Sequence, residues 1–117
     1  MAESEEDPRR KSKRFKVNWL SRVLLPDKKI VRVRTRDVSV GGVGFEYEQQ
    51  LTKATEVNIE MSPIVKGKQY TIRAKGVVIY NMILSGNSGF SHGLKFTLIP
   101  KQHFEQLSSI LKQLGQV

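Results

Sequence analysis

Two short clusters in this chain carry residue types suited to holding a charged or planar ligand. The first is R-D-V-S-V-G-G-V-G-F, Arg36 to Phe45. Asp37 and Ser39 stand two apart, so on an extended strand both side chains leave the same face. Gly41, Gly42 and Gly44 follow at once, and a strand running into glycines bares backbone N–H groups and lets another molecule come close. The second cluster is R-R-K-S-K-R-F, in which Arg10 and Arg14 stand four apart and offer planar, permanently charged forks. Each cluster also has a plainer reading. Asp, Ser and Gly are the usual residues of a hairpin turn, Asp37 is a ready partner for Arg34 or Arg36, and a basic run is also what a solvated tail looks like.

The remaining chemistry-bearing residues do not assemble into a catalytic set. His92 and His103 are the only imidazoles, and there is no cysteine. Neither histidine has the i,i+4 partner or thiolate that a metal site needs. Ser39 lacks a nucleophile elbow, and a serine and an aspartate on one strand face have the wrong geometry for a relay. There is no Walker loop, and G-V-G lacks the helix context of a dinucleotide fingerprint. The expectation is a binding protein rather than an enzyme, with no metal and no cofactor. Twenty Lys and Arg against eleven Asp and Glu, a net charge of +9, favour polyanionic or phosphorylated partners. Nucleic acid, a phosphate-bearing small molecule and an acidic surface all stay open on that ground.

The elements that must position these residues read mostly as strands. With 117 residues, 38% of them apolar, the chain holds one domain with one modest core. Residues 1–13 read as an arm, acidic at Glu3, Glu5, Glu6 and Asp7 and then basic from Arg9, too polar to pack and expected to be disordered. Residues 14–117 are the expected folded domain. Strands are expected at Phe15 to Leu25, Ile30 to Ser39, Gly42 to Glu48, Glu56 to Met61, within Gln69 to Leu84 with a bend at Gly76, and at Phe90 to Thr97. Ser62 to Lys68 reads as a turn region. In the second strand Val31, Val33 and Thr35 alternate with Arg32, Arg34 and Arg36. Continuing that count puts Asp37 and Ser39 with the valines, and Val38 and Val40 with the arginines. A core cannot take both sets, which predicts a bulge or a sharp twist near Arg36 to Val38 that re-aims the polar pair. Pro100 is placed to open a helix over about 100–114, with Phe104, Leu107, Ile110, Leu111 and Leu114 on one stripe and Gly115 at its end. No apolar run approaches the roughly 18 residues needed to cross a membrane, and the N-terminus has no apolar h-region. A cytoplasmic protein without membrane insertion is expected.

The two clusters together resemble the signature of the PilZ domain family. That signature is Arg-x-x-x-Arg in an N-terminal arm, followed by Asp/Asn-x-Ser-x-x-Gly at the end of a barrel strand. Here the positions are Arg10 and Arg14, then Asp37, Ser39 and Gly42. The terminal G-L-K-F-T also resembles the closing strand of these barrels. The resemblance implies an all-β fold, a six-stranded antiparallel β-barrel with a C-terminal helix, that acts as a receptor for cyclic diguanylate (c-di-GMP). It implies a ligand-binding set of Arg9, Arg10, Arg14, Asp37, Ser39, Gly41 and Gly42.

The residues suit that ligand. Guanine presents O6 and N7 to an arginine fork, Asp37 can accept from its N1–H and N2–H, Ser39 can donate and accept, and Gly41 and Gly42 leave room against the backbone. By the same resemblance Arg9 points to an intercalated pair of ligand molecules. The arm is expected to close over the ligand and signal to an unidentified downstream protein, from a monomer or weak dimer, in motility, biofilm or exopolysaccharide production, or virulence. The rival is a small basic barrel that binds single-stranded nucleic acid by stacking on Trp19, Tyr47, Tyr70 and Tyr80; nucleic acid is the less favoured partner.

Overall fold

The computed structural model describes residues 13–115. Most of the expected arm, Arg9 and Arg10 included, lies outside the described residues. Among the described residues the chain forms nine strands and one α-helix: β1 (Phe15–Lys16), β2 (Leu20–Leu24), β3 (Ile30–Ser39), β4 (Gly42–Tyr47), β5 (Glu56–Met61), β6 (Ile64–Val65), β7 (Lys68–Gln69), β8 (Ile72–Ile83), β9 (Phe90–Leu98) and α1 (Lys101–Leu114).

Side-chain alternation decides which face of each strand turns inward. In β5, Val57, Ile59 and Met61 are buried while Glu56 and Asn58 face water. Six strands pair antiparallel in the order β3-β2-β5-β8-β9-β4, and β4 pairs back onto β3, closing a six-stranded barrel with one helix after it. Closure gives each of the six strands a neighbour on both sides along at least part of its length. The core runs from Val23 and Val33 through Phe45 and Ile59 to Leu94, and Leu107, Ile110 and Leu111 of α1 join it. Each such side chain contributes about 1.5–3 kcal/mol on full burial.

The first strand differs from expectation. Instead of running unbroken from Phe15 to Leu25, it splits into β1 and β2, which both lie along the same edge of β3 but out of step. Lys16 stands opposite Asp37 and Leu20 opposite Arg34, so Val17, Asn18 and Trp19 face only Thr35 and Arg36. Thr35 stitches this slip. Its Oγ1 accepts from the Trp19 N–H at 3.1 Å and donates to the Trp19 carbonyl at 3.2 Å, while the Val17 N–H donates to the Arg36 carbonyl at 3.0 Å. The hydroxyl is fully buried, and these bonds are what make its burial tolerable.

Smaller corrections follow the same logic. The expected turn at Ser62 to Lys68 holds a hairpin of its own, β6 paired with β7, whose tip residues Lys66 and Gly67 have φ of 53° and 79°, as a tight two-residue hairpin requires. Gln69 belongs to that hairpin, so the long strand starts at Ile72. Gly76 lies within β8 at a register shift against β9, between Lys75 and Gly76, where the bend is expected, and it also serves close approach: a Cβ there would stand 2.7 Å from the Leu94 side chain and 2.8 Å from the Lys95 carbonyl. Pro100 is the cap before α1 rather than its first residue. The apolar stripe of α1 buries Leu107, Ile110 and Leu111 but leaves Phe104 40% exposed, one turn short of its expected reach. At the other end of α1, a Cβ on Gly115 would stand 3.4 Å from the Phe15 ring, so the helix finishes beside β1.

Candidate ligand-binding site

β3 sets the site. Val33 and Thr35 point into the barrel and are buried, so regular alternation would carry Asp37 inside after them. The register against β4 shifts instead: Thr35 stands opposite Phe45 and Asp37 opposite Gly44, which leaves Arg36 as the extra residue of a bulge. Beyond it Val38 takes the inward position and is fully buried, while the Asp37 side chain keeps 32% of its surface open. An unpartnered carboxylate in the core costs more than one lost ladder step, so the bulge falls where the sequence places the conflict.

The arm meets this rim through β1. Pairing of Phe15 with Val38 and of Lys16 with Asp37 lays Arg14 beside Asp37, and the Arg14 Nη2 donates to the Asp37 Oδ1. Arg34 bonds to Asn18 at 3.1 Å and Arg36 pairs with Glu46 at 3.2 Å, so the partner of Asp37 is the arginine of the arm and not its strand neighbours. Lys13, with its Nζ 5.4 Å from the centre of the Phe15 ring, and Lys16 add positive charge around the single carboxylate.

Ser39 is held differently. It is buried, and its Oγ accepts from the Gly41 N–H at 3.2 Å across the two-residue turn that sets Ser39 opposite Gly42. The turn thus uses this hydroxyl as an acceptor. Gly41 and Gly42 do not have positive φ, so they are not needed for backbone conformation; the Gly41 carbonyl accepts from the Phe96 N–H at 2.9 Å, tying the turn to β9. Of the expected set, the structure brings Arg14, Asp37, Ser39, Gly41 and Gly42 to one end of β3 and β4. Arg9 and Arg10 lie outside the described residues.

Gly44 belongs with this group and was not among the expected site residues. A Cβ on it would stand 2.8 Å from the Asp37 Oδ1, so only glycine leaves the carboxylate where it is. The sequence carried the signal, since Gly44 is part of the same glycine cluster. Pairing it with Asp37 requires the bulge to be placed at one residue.

Both histidines have structural partners. The His92 Nε2 accepts from the Leu51 N–H at 3.0 Å, and its ring stacks on Phe45 at 5.1 Å; burial pushes its pKa below the ordinary imidazole value, and the Phe90 backbone offsets only part of this. The His103 Nδ1 accepts from the Arg73 N–H at 2.9 Å. Among the described residues no group of His, Cys, Asp and Glu is arranged to hold a metal ion, and no helix is long and apolar enough to cross a membrane.

The family model for the PilZ domain matches residues 8–113. Among solved structures, the chain is similar to the inhibitor of motility MotI/DgrA of Bacillus subtilis, with a TM-score of 0.76 and 14% identity, covering 97% of this chain and 55% of that one. It is similar to the PilZ domain of YcgR from Escherichia coli, solved with c-di-GMP, at a TM-score of 0.67 and 19% identity over 92% of each chain. A third is the PilZ domain of CeSA from a cellulose-synthesizing bacterium, at a TM-score of 0.57 and 20% identity over 89% of this chain and 99% of that one. The chain thus spans about half the length of the Bacillus protein. Comparison with curated protein sequences gives no match. The bulged strand that carries Asp37 and Ser39, the arm arginine laid against it and the closed six-stranded barrel behind both accord with the family match, and the chain belongs to the PilZ domain family.

Proposed function

We propose that the protein is a receptor for c-di-GMP, bound between the basic arm and the rim formed by Asp37, Ser39, Gly41 and Gly42. The observation that carries this reading is the Arg14–Asp37 pair at the barrel rim, in a chain whose family includes a domain solved with c-di-GMP. Guanine carries acceptors at O6 and N7 next to donors at N1 and N2. A guanidinium and a carboxylate held side by side present the complementary set, and Gly44 keeps the carboxylate in place. Arg9 and Arg10 extend the arm with two more forks for phosphate or for stacking on a base. Arg9 favours uptake of an intercalated pair.

On binding, Arg14 exchanges part of its bond to Asp37 for the ligand and the arm closes, a disorder-to-order response of the kind that alters the surface offered to a partner. The receiver is a separate downstream protein or a second copy. Motility is the output suggested by MotI, whose name states inhibition of motility; biofilm or exopolysaccharide control and virulence are alternatives. The location consistent with this ligand is the cytoplasm, and the reading assigns no catalytic role to the chain.

The nucleic-acid alternative finds less support. Trp19 is buried, and Tyr47, Tyr70 and Tyr80 are half-buried, so the described surface offers little of the open aromatic platform on which bases stack.

Calorimetric titration of c-di-GMP at moderate salt, with GTP and a short single-stranded oligonucleotide as controls, tests the proposal. Saturable binding of the cyclic dinucleotide alone is expected, with the molar ratio distinguishing one ligand from a stacked pair. No heat with the dinucleotide, together with binding of the oligonucleotide, would sink it.

A further inference from the structure

The outer face of the barrel carries a second organised surface at the far end of β3. Ile30 lies seven residues from Asp37, roughly 23 Å along the strand. Cross-strand pairing sets two rows side by side. One runs Ile30, Leu24, Asn58, Lys75, Leu98, and the other Arg32, Arg22, Glu60, Arg73. They bound a groove of about 390 Å³ that continues to Pro100. Its aliphatic walls stay open to solvent: Leu24 is 37%, Ile30 59% and Leu98 57% exposed. Aliphatic side chains gathered in one concave place, rather than scattered singly, mark an interaction site.

Charge decides what fits. Among the described residues Glu60 is the one acid lining the groove, and it is already held from both sides, by the Arg22 Nε at 3.0 Å and the Arg73 Nε at 2.9 Å. Those two bonds, that of Arg22 first, draw its carboxyl below the ordinary glutamate value. Arg22, Arg73 and Lys75 then outnumber it on the groove wall, with Arg32 alongside and no acid in the first turn of α1.

We propose that this groove docks an acidic peptide segment of a partner protein, with one or two large apolar side chains seated between Leu24 and Leu98 and flanking carboxylates facing Arg22, Arg73 and Lys75. Nucleic acid fits poorly because, among the described residues, no aromatic side chain lines the groove. A bilayer prefers apolar side chains that project from a convex face, and these line a hollow. The central strands of the groove, β2 and β5, are each paired on both sides there, so a partner cannot enter between the groove walls as an added strand and docks through side chains. A second copy brings the same net charge of +9. This surface does not depend on the nucleotide reading, and its test uses no nucleotide.

The test is selection of a display library of random peptides, about twelve residues long, on the full chain. Enriched peptides are expected to carry Asp or Glu around Leu, Ile or Phe, to weaken with salt, and to bind Leu24→Glu and Leu98→Glu chains about tenfold or more weakly. Both side chains are solvent-exposed, so the variants should melt with the wild type; Arg73→Glu serves as a third variant if either does not. Failure to enrich, enrichment of basic or neutral peptides, or peptides that bind the variants as well as the wild type would overturn the proposal. So would binding of oligothymidylate or of phosphatidylglycerol vesicles that these substitutions abolish while peptide binding survives.

Discussion

Arg14 and Asp37, twenty-three residues apart in sequence, are bonded to each other at the rim of the barrel, and each is partly open, at 35% and 32% of its side-chain surface. A pair this exposed contributes about 0–1 kcal/mol to folding, whereas a charged group bonded to ligand is worth about 2–5 kcal/mol to binding. Arg14→Ala is therefore expected to weaken c-di-GMP binding by roughly thirtyfold or more with little change in melting temperature. Asp37→Ala should behave alike. Calorimetry beside thermal scans checks both, and a large loss of ligand-free stability in Asp37→Ala would reduce that residue to a structural partner.

Two glycines should separate site from scaffold. A Cβ on Gly44 would press on the Asp37 carboxylate at 2.8 Å, while one on Gly93 would meet the Tyr80 ring at 2.1 Å. Gly44→Ala is expected to lower ligand affinity more than stability, because a half-open side chain can swing away. Gly93→Ala should cost about 1–3 kcal/mol of folding free energy, read as a lower denaturant midpoint. Equal stability losses in both variants would contradict this division.

His92 predicts an acid-side weakening of the fold. Its Nε2 accepts from the Leu51 N–H, so the neutral ring is the folded form, and burial holds its pKa below 6.5. The unfolded chain then binds the proton first. Stability is full above pH 6.5 and falls as pH drops from there through the lower folded value. His92→Gln, which can keep an acceptor near Leu51, should flatten the melting curve between pH 7 and about pH 5. A wild-type profile that is already flat there would remove this residue from the account.

Glu60 acts in a lower window. Arg22 and Arg73 depress its pKa from 4.5, so its contribution is present above that value and is lost as pH falls through the folded one. Glu60→Gln should cost about 1 kcal/mol or less at neutral pH, given how exposed both arginines are. The difference from wild type should vanish in acid, as chemical denaturation at two pH values would reveal.

Much of this arrangement was legible in the chain. The parity conflict in I-V-R-V-R-T-R-D-V-S located the bulge, because two polar and two apolar residues cannot share an inward face. The alternation in β5 and the stripe of α1 identified core positions for the same reason. What stayed hidden depends on groups that meet only after folding. The slip between β1 and β2 rests on the Thr35 hydroxyl finding Trp19. The bond that the Ser39 hydroxyl accepts depends on the shape of its turn. The task of Gly44 depends on which residue stands opposite it. The exposure of Phe104 follows from where α1 meets the barrel, which periodicity alone does not fix.

The meeting of Phe15 with Gly115 brings the first strand and the end of the helix together on one side. Joining them with a short linker therefore needs no rearrangement of the barrel, and new ends can be opened elsewhere, for instance in the exposed turn Ser85–Asn87. Such a circular permutant should fold. It would tether the N-terminal arm at both ends, as a strap of fixed length. The domain can equally sit inside a longer chain, entering and leaving at one point of its surface like a bead on a loop.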